Sequence, residues 1–164
     1  MARPVAASID PLSLERQVCF ALAVTNRAVL AVYRPLLEPL GLTHPQYLVM
    51  LALWDNAKAV RLTGGKQLSV KDIAASLQLD SATLSPMLKR LEAQGLITRT
   101  RSAADERTTH IELTPNGRNL RRQALKVPSA VVERLGVELA ELEQLREMLT
   151  KVNAAAIAAG ALDT

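Results

Sequence analysis

A single cysteine in 164 residues excludes an intrachain disulfide and any cysteine-rich zinc site. Aromatic residues make up only 2% of the chain although 49% of it is hydrophobic, so the core must be built from Leu, Val, Ala and Ile, a composition that favours helices. Only two histidines are present, His44 and His110, with no motif joining them to an acid. There is no phosphate-binding glycine loop and no metal-ligand cluster. These absences argue against an enzyme and imply neither a metal nor a cofactor. No uninterrupted apolar run approaches the roughly 20 residues needed to span a bilayer. The opening stretch MARPVAASIDPLSLERQ lacks the apolar centre of a signal peptide. A soluble cytoplasmic protein with no membrane partner is therefore expected, as one domain or a small two-lobed unit.

What the chain does contain is concentrated between Leu68 and Leu113. Ser69 can cap a helix, with Asp72 three residues on in its first turn, and Val70, Ile73, Ala74 and Leu77 share one apolar face. Gln78-Leu79-Asp80 reads as a turn. Asp80 or Ser81 then caps a second helix whose buried face is Leu84, Leu88 and Leu91 and whose end is marked by Gly95. Pro86 inside that helix removes a hydrogen bond, which predicts either a start only near Thr83 or a bend. Ile97 to Arg101 and Thr109 to Leu113 alternate as two strands around the polar turn Ser102–Glu106, with Arg107 at its far end.

Two short helices followed by a hairpin form a winged helix-turn-helix, whose second helix enters the DNA major groove while the wing reaches the backbone or minor groove. The opposite side of that helix carries Ser81, Thr83, Ser85, Lys89 and Arg90, types that donate to bases and phosphates; the hairpin adds Arg99, Arg101 and Arg107. The charge distribution agrees. From Ser85 to Lys126 the cations Lys89, Arg90, Arg99, Arg101, Arg107, Arg118, Arg121, Arg122 and Lys126 outnumber the acids Glu92, Asp105, Glu106 and Glu112. After Pro128 the acids Glu133, Glu138, Glu141, Glu143, Glu147 and Asp163 outnumber Arg134, Arg146 and Lys151. One lobe thus suits DNA and the other protein, and the isoelectric point near 9.6 fits an anionic partner.

The flanks suggest how two such modules pair. Leu12 to Leu37 is a helical stretch with Asp10 or Ser13 as cap, Thr43 caps another helix, and Thr114-Pro115 opens a third directly off the wing. Asp55 to Gln67 reads as a loop carrying Lys58, Arg61 and Lys66; such cations can add phosphate contacts, although most insertions of this kind are surface loops. Leu135, Leu142, Leu145, Leu149, Val152, Ala156 and Ala159 form an apolar seam at spacings of three and four, read as one face of a last helix. The seam serves either an intramolecular core or a homodimer interface, and a paired reader of a palindrome favours the interface. The Ala-rich end NAAAIAAGALDT is expected to fray. The resulting fold is mainly α with a small β-hairpin wing (α+β). Residues 1–42 and 115–164 make a helical dimerisation lobe, and 43–114 a DNA-binding lobe.

The segments LDSATLSPMLKRLEAQGLITRTRS, DER and LTPNGR resemble the MarR family of bacterial transcription regulators, and the resemblance runs over nearly the whole chain. Cys19 followed by Phe20-Ala21-Leu22, then Tyr33-Arg34-Pro35-Leu36-Leu37 and Pro45-Gln46-Tyr47, resemble its organic-hydroperoxide-sensing, OhrR-type branch. The resemblance implies that Cys19 is the reactive thiol, that Tyr33 hydrogen-bonds it from the other subunit, and that Arg107 is the wing residue entering the minor groove. His44 stands where the branch usually has a second tyrosine, so its imidazole either replaces that contact, with protonation near pH 6.5, or faces water before Pro45.

A lone cysteine in a helical protein is often a small core hydrophobe. Cys19, however, is expected in the second turn of the first helix, where the dipole favours an anion and Arg16 can share its face, with Glu15 opposing. Organic hydroperoxide would convert it to a sulfenic acid, and with no second cysteine a low-molecular-weight thiol must cap that product unless it is oxidised further. Either product adds bulk and breaks the Tyr33 contact, and the two DNA lobes then lose their fit to successive grooves of the double-stranded operator. The competing reading is a regulator released by a small aromatic or anionic ligand, with Cys19 only structural. A thiol peroxidase is the enzyme alternative, weakened by the lack of a second cysteine.

Overall fold

The computed structural model describes residues 10–161. A 3-10 turn, Leu14–Arg16, precedes helix α1 (Val18–Leu37); a second 3-10 turn, Glu38–Leu40, leads into α2 (His44–Thr63). Then come α3 (Val70–Leu77), α4 (Ser81–Ala93), strands β1 (Ile97–Arg101) and β2 (Thr109–Leu113), and helices α5 (Pro115–Ala124), α6 (Val127–Leu135) and α7 (Leu139–Ala158). The strands pair antiparallel, Ile97 opposite Leu113 and Arg101 opposite Thr109. Ser69 adds a bridge to His110, which fastens the start of α3 to the hairpin.

The helix starts follow local chemistry. Thr43 and Ser69 each close a capping box, with Gln46 and Asp72 as the reciprocal partners, a device stabilising a helix end by about 1 kcal/mol. Asp80 caps α4 by accepting from the Thr83 amide at 2.6 Å. Thr114 caps α5, accepting from Gly117 N at 3.0 Å. Gly95, with φ of 69°, terminates α4 on the left-handed side, as its position just past the helix requires. The core is one continuous cluster in which Leu37, Val49, Met50, Ile73, Leu84, Leu88, Leu91 and Ile97 are fully enclosed.

Four expectations need correction. Pro86 does not delay α4, which begins at Ser81 and continues through it, leaving a bend as the other expectation; packing of Leu84, Leu88 and Leu91 outweighs the one backbone bond that proline removes. Of Asp55 to Gln67 only Gly64 to Gln67 is a loop: α2 runs on through Lys58 and Arg61 to Thr63, stopped by Gly64 at φ 67°. The first helical stretch is interrupted at Gln17, whose extended backbone separates the 3-10 turn from α1. Leu135 belongs to α6, because Gly136 in the left-handed region separates it from α7. The expected lack of an uninterrupted apolar run near 20 residues stands, since Thr25, Asn26 and Arg27 interrupt α1, although Val18–Leu40 is long and apolar enough to cross a membrane by length and composition alone. That segment carries Asn26, Arg27, Arg34 and Glu38, and most of it is not buried within this chain. α7 likewise buries no residue and exposes Leu139, Leu145, Met148, Leu149, Val152 and Ile157. The first nine residues and the last three, part of the N-terminal reading and of the Ala-rich end, lie outside the described residues; Asn153–Ala158 is helical.

Candidate nucleic-acid interface and thiol site

The N-terminal ends of α3 and α4 converge on one hollow of about 430 Å³, lined by Ser69, Val70, Lys71, Ser81, Ser85, Arg99, Arg107, Thr108 and Thr109. Two helix N-termini, three cations and several hydroxyls around one concavity make a favourable setting for backbone phosphate. Arg99 is partly committed, lying 4.0 Å from Glu92. The wing turn is ordered by Asp105, whose carboxylate accepts from the Arg107 amide and from the Thr108 hydroxyl, both at 3.0 Å. Ser102 N donates to Thr108 O at 2.8 Å and closes the loop. Asp105 thus holds Arg107 in place without itself facing an anion.

The other sequence-derived contacts distribute less evenly. Lys89 and Arg101 are exposed but do not line the hollow. The Thr83 hydroxyl donates to the Asp80 carboxylate at 3.1 Å, so part of its capacity is spent on the cap. This pair holds the Asp80 carboxyl below its usual 3.8, chiefly through the Thr83 amide. Arg90 turns toward the α1–α2 connection and lines a different cavity. Lys58 and Arg61 sit beside Arg118 and Arg121 on another face, away from the hollow. Lys71 escaped the sequence reading; its place two residues after a capping serine, in a first helical turn, is the signal that marks it.

A graded result is expected from the candidate DNA contacts. Arg107→Ala should weaken operator binding by at least about tenfold by removing a positioned charge from a groove. Lys89→Ala should chiefly lower the salt dependence, by about one unit of slope for the phosphate that the lysine no longer neutralises. Affinity titrations at several salt concentrations separate the two.

Cys19 is exposed and occupies the second position of α1, in its first turn rather than its second. The break at Gln17 also removes Arg16 from the same regular helix face. Tyr33 lies fourteen residues further along the same helix, roughly 21 Å away at 1.5 Å per residue. The two side chains of one subunit therefore cannot meet.

Tyr33 instead packs edge-on against His44, centroids 5.1 Å apart at 73°, and stands 6.1 Å from Tyr47. Burial lowers the His44 pKa below 6.5, and burial, then the charge of Tyr33, raises that of the Tyr47 phenol. The expected protonation of His44 thus moves below pH 6.5. Folded protein keeps the imidazole neutral where unfolded chain binds a proton, so His44 lowers stability as pH falls below about 6.5 and not above it. The melting temperature of wild type should drop more between about pH 7 and pH 5 than that of His44→Phe.

Arg34, His44, Gln46, Arg90 and Gln94 line a further cavity of about 900 Å³ together with Leu30, Leu37 and Leu42. Among the described residues no group of three or more metal-binding side chains occurs.

The chain is similar to known proteins over most of its length. A family profile described as "Transcriptional regulator SarA/Rot" matches residues 31–123. The chain is 41% identical over 140 residues to the organic hydroperoxide resistance transcriptional regulator of Bacillus subtilis, covering 85% of this chain and 89% of that one. It is 42% identical to the HTH-type transcriptional regulator TtmR of Methylorubrum extorquens, covering 87% of this chain and 69% of that one. Among solved structures, reduced AbfR bound to DNA superposes with a TM-score of 0.69 at 32% identity, over 87% of this chain and 91% of that one. Overoxidised AbfR bound to DNA gives 0.66 at 32%, over 88% and 94%.

Proposed function

Because the chain belongs to the MarR family of bacterial transcription regulators, in its organic-hydroperoxide branch, we propose that it is a dimeric DNA-binding repressor whose operator is released when Cys19 is oxidised. The observation that carries the sensor reading is the position of Cys19: exposed, at the start of a helix, and about 21 Å from the Tyr33 of its own chain. A second copy with its α1 running antiparallel brings the partner's phenol to the thiol. The exposed apolar faces of α1 and α7 supply the surface such a copy would cover. We accordingly assign dimerisation to 1–42 and 115–164 and DNA contact to 43–114, with Ser81, Ser85, Lys89, Arg99, Arg101 and Arg107 as principal contacts, Thr83 and Arg90 as secondary ones, and Lys71 added. The half-sites of the inverted repeat then lie about one helical turn apart.

The chemistry balances with two named reactants. The Cys19 thiolate attacks the terminal oxygen of an organic hydroperoxide; the O–O bond breaks and the alkoxide leaves, taking a proton to become an alcohol, while the sulfur becomes a sulfenic acid. A low-molecular-weight thiol then attacks that sulfur, forming a mixed disulfide and releasing water. AbfR, a relative at 32% identity, occurs on DNA in its overoxidised form. For this chain the thiol-capped product is therefore the better candidate for release, since its bulk displaces Tyr33 and His44. Intact-mass spectrometry alongside operator titration tests the scheme. One equivalent of hydroperoxide with excess thiol should place one thiol adduct on Cys19 in step with loss of binding; release without modification of Cys19 would sink it.

A second reading rests on the cavity of about 900 Å³ flanked by Arg34 and Arg90, a size and charge suited to a small aromatic acid. Release of DNA by such an acid in the absence of peroxide would select it.

A further inference from the structure

The end of the recognition helix is anchored on two sides. On one, the Thr114 hydroxyl donates to the Gly95 carbonyl at 2.6 Å and the Thr114 amide to that of Leu96 at 3.0 Å, tying α4 to the start of α5. On the other, the Gln94 amide group donates from Nε2 to the carbonyl of Gly41 at 2.9 Å, across 53 residues of sequence. Gln94 is the C-cap of α4, and Gly41, at φ 68°, is the left-handed residue on which the chain turns from α1 into α2. Around this bond the walls are not packed together: the cavity of about 900 Å³ opens between Leu30 and Arg34 of α1, Gly41 and Leu42 of the turn, and Arg90, Ala93 and Gln94 of α4. His44 lines the same cleft and touches Tyr33. Among the described residues, Gln94 to Gly41 is the side-chain hydrogen bond that spans it.

We propose that Gln94 is a positioning residue, a latch that fixes the recognition helix to the Gly41 turn and carries a displacement of the Tyr33–His44 pair into α4. This deepens the peroxide-sensor reading and rests on it for the direction of signalling. The physical reason lies in two small energies. A turn pivoting on one left-handed glycine has a soft dihedral, and a single neutral, exposed hydrogen bond shifts an equilibrium by no more than about tenfold. Such a bond is strong enough to bias an orientation and weak enough to be overridden by bulk at the thiol.

The variants are Gln94→Ala, which deletes the donor, and Gln94→Lys, which keeps one on a long side chain. Operator affinity is measured before and after organic hydroperoxide with excess thiol, and amide hydrogen exchange is followed in the reduced protein. Gln94→Ala should shrink the peroxide-driven loss of affinity about tenfold, and Gln94→Lys should recover part of it. Exchange at residues 38–43 and 90–95 should quicken about tenfold in Gln94→Ala while the buried turn around Leu84 and Leu88 stays protected. A purely structural role would weaken both redox states alike and leave their ratio unchanged; that ratio, or unaltered exchange in the two segments, overturns the latch. The exchange arm needs no peroxide. A wild type that keeps its operator under peroxide defeats the sensor reading alone, and the exchange result still decides the latch.

Discussion

Cys19→Ser should bind operator like wild type and should not release it under organic hydroperoxide at all. Cys19 is exposed at the beginning of α1, and a serine there differs by one atom, so folding stability should move by no more than about 0.5 kcal/mol. The hydroxyl, however, is a poor nucleophile at neutral pH without an adjacent base, and it cannot form a sulfenic acid. The peroxide response, worth about tenfold or more in operator affinity if it resembles ordinary allosteric coupling, should therefore vanish completely. Fluorescence anisotropy with a labelled operator, before and after peroxide plus thiol, reads the difference. A serine variant that still lets go would remove the thiol from the mechanism and return attention to the cavity beside Arg34.

Gly117→Ala, where α5 meets the wing, should cause a large loss of stability. A Cβ on Gly117 would overlap the carbonyl oxygen of Leu96 and come within 3.2 Å of Leu113 Cδ2. Neither side can yield cheaply. The Gly117 carbonyl accepts the buried Trp54 indole N–H at 2.9 Å, its amide donates to the Thr114 hydroxyl at 3.0 Å, and the Leu96 carbonyl accepts from Thr114 N at 3.0 Å. Forcing α5 away from the strands should cost about 3 kcal/mol, at the upper end for overpacking, or about 10 °C in melting temperature for a chain of this size. Gly65→Ala is the control: its nearest neighbours stand at 3.7 Å and beyond, so it should melt with wild type. Equal melting of both variants would show that α5 is free to shift.

The parts of this fold that were legible in the sequence are those decided within a few residues. The caps at Thr43, Ser69 and Thr114, the stop at Gly95 and the buried triplet Leu84, Leu88, Leu91 follow from local hydrogen bonding and from 3.6-residue periodicity. The continuation of α2 was not legible, because Asp55 to Thr63 is polar enough to pass for a loop; Ala57, Lys58, Ala59 and Arg61 are nonetheless good helix formers, and Gly64 supplies the stop. Of the site, the wing and recognition-helix cations were visible as residue types, but Arg90's orientation toward the α1–α2 turn depends on where α4 packs. Lys71 carries a local signal in its first-turn position after the capping Ser69, but that it shares a hollow with α4 and the wing depends on tertiary packing. Hydrogen bonds such as Gln94 to Gly41 or Trp54 to Gly117 join residues 53 and 63 apart, and no local pattern announces them.

The length of α1 has a consequence in genetics. A helix that places Cys19 and Tyr33 roughly 21 Å apart puts the two halves of the proposed sensing site on different polypeptides. Two defective alleles should then complement each other. When Cys19→Ser and Tyr33→Phe chains are expressed together, each mixed dimer carries one site with neither functional group and one with both, a wild-type pairing rebuilt from two mutant parents. Cells carrying both alleles should recover peroxide induction that the serine allele lacks and the phenylalanine allele delivers only sluggishly. Purified mixed dimers, selected with two different affinity tags, should take up thiol at half the wild-type stoichiometry and at the wild-type rate. If the mixed dimers react no faster than the Tyr33→Phe parent, the phenol does not serve the neighbouring chain's thiol.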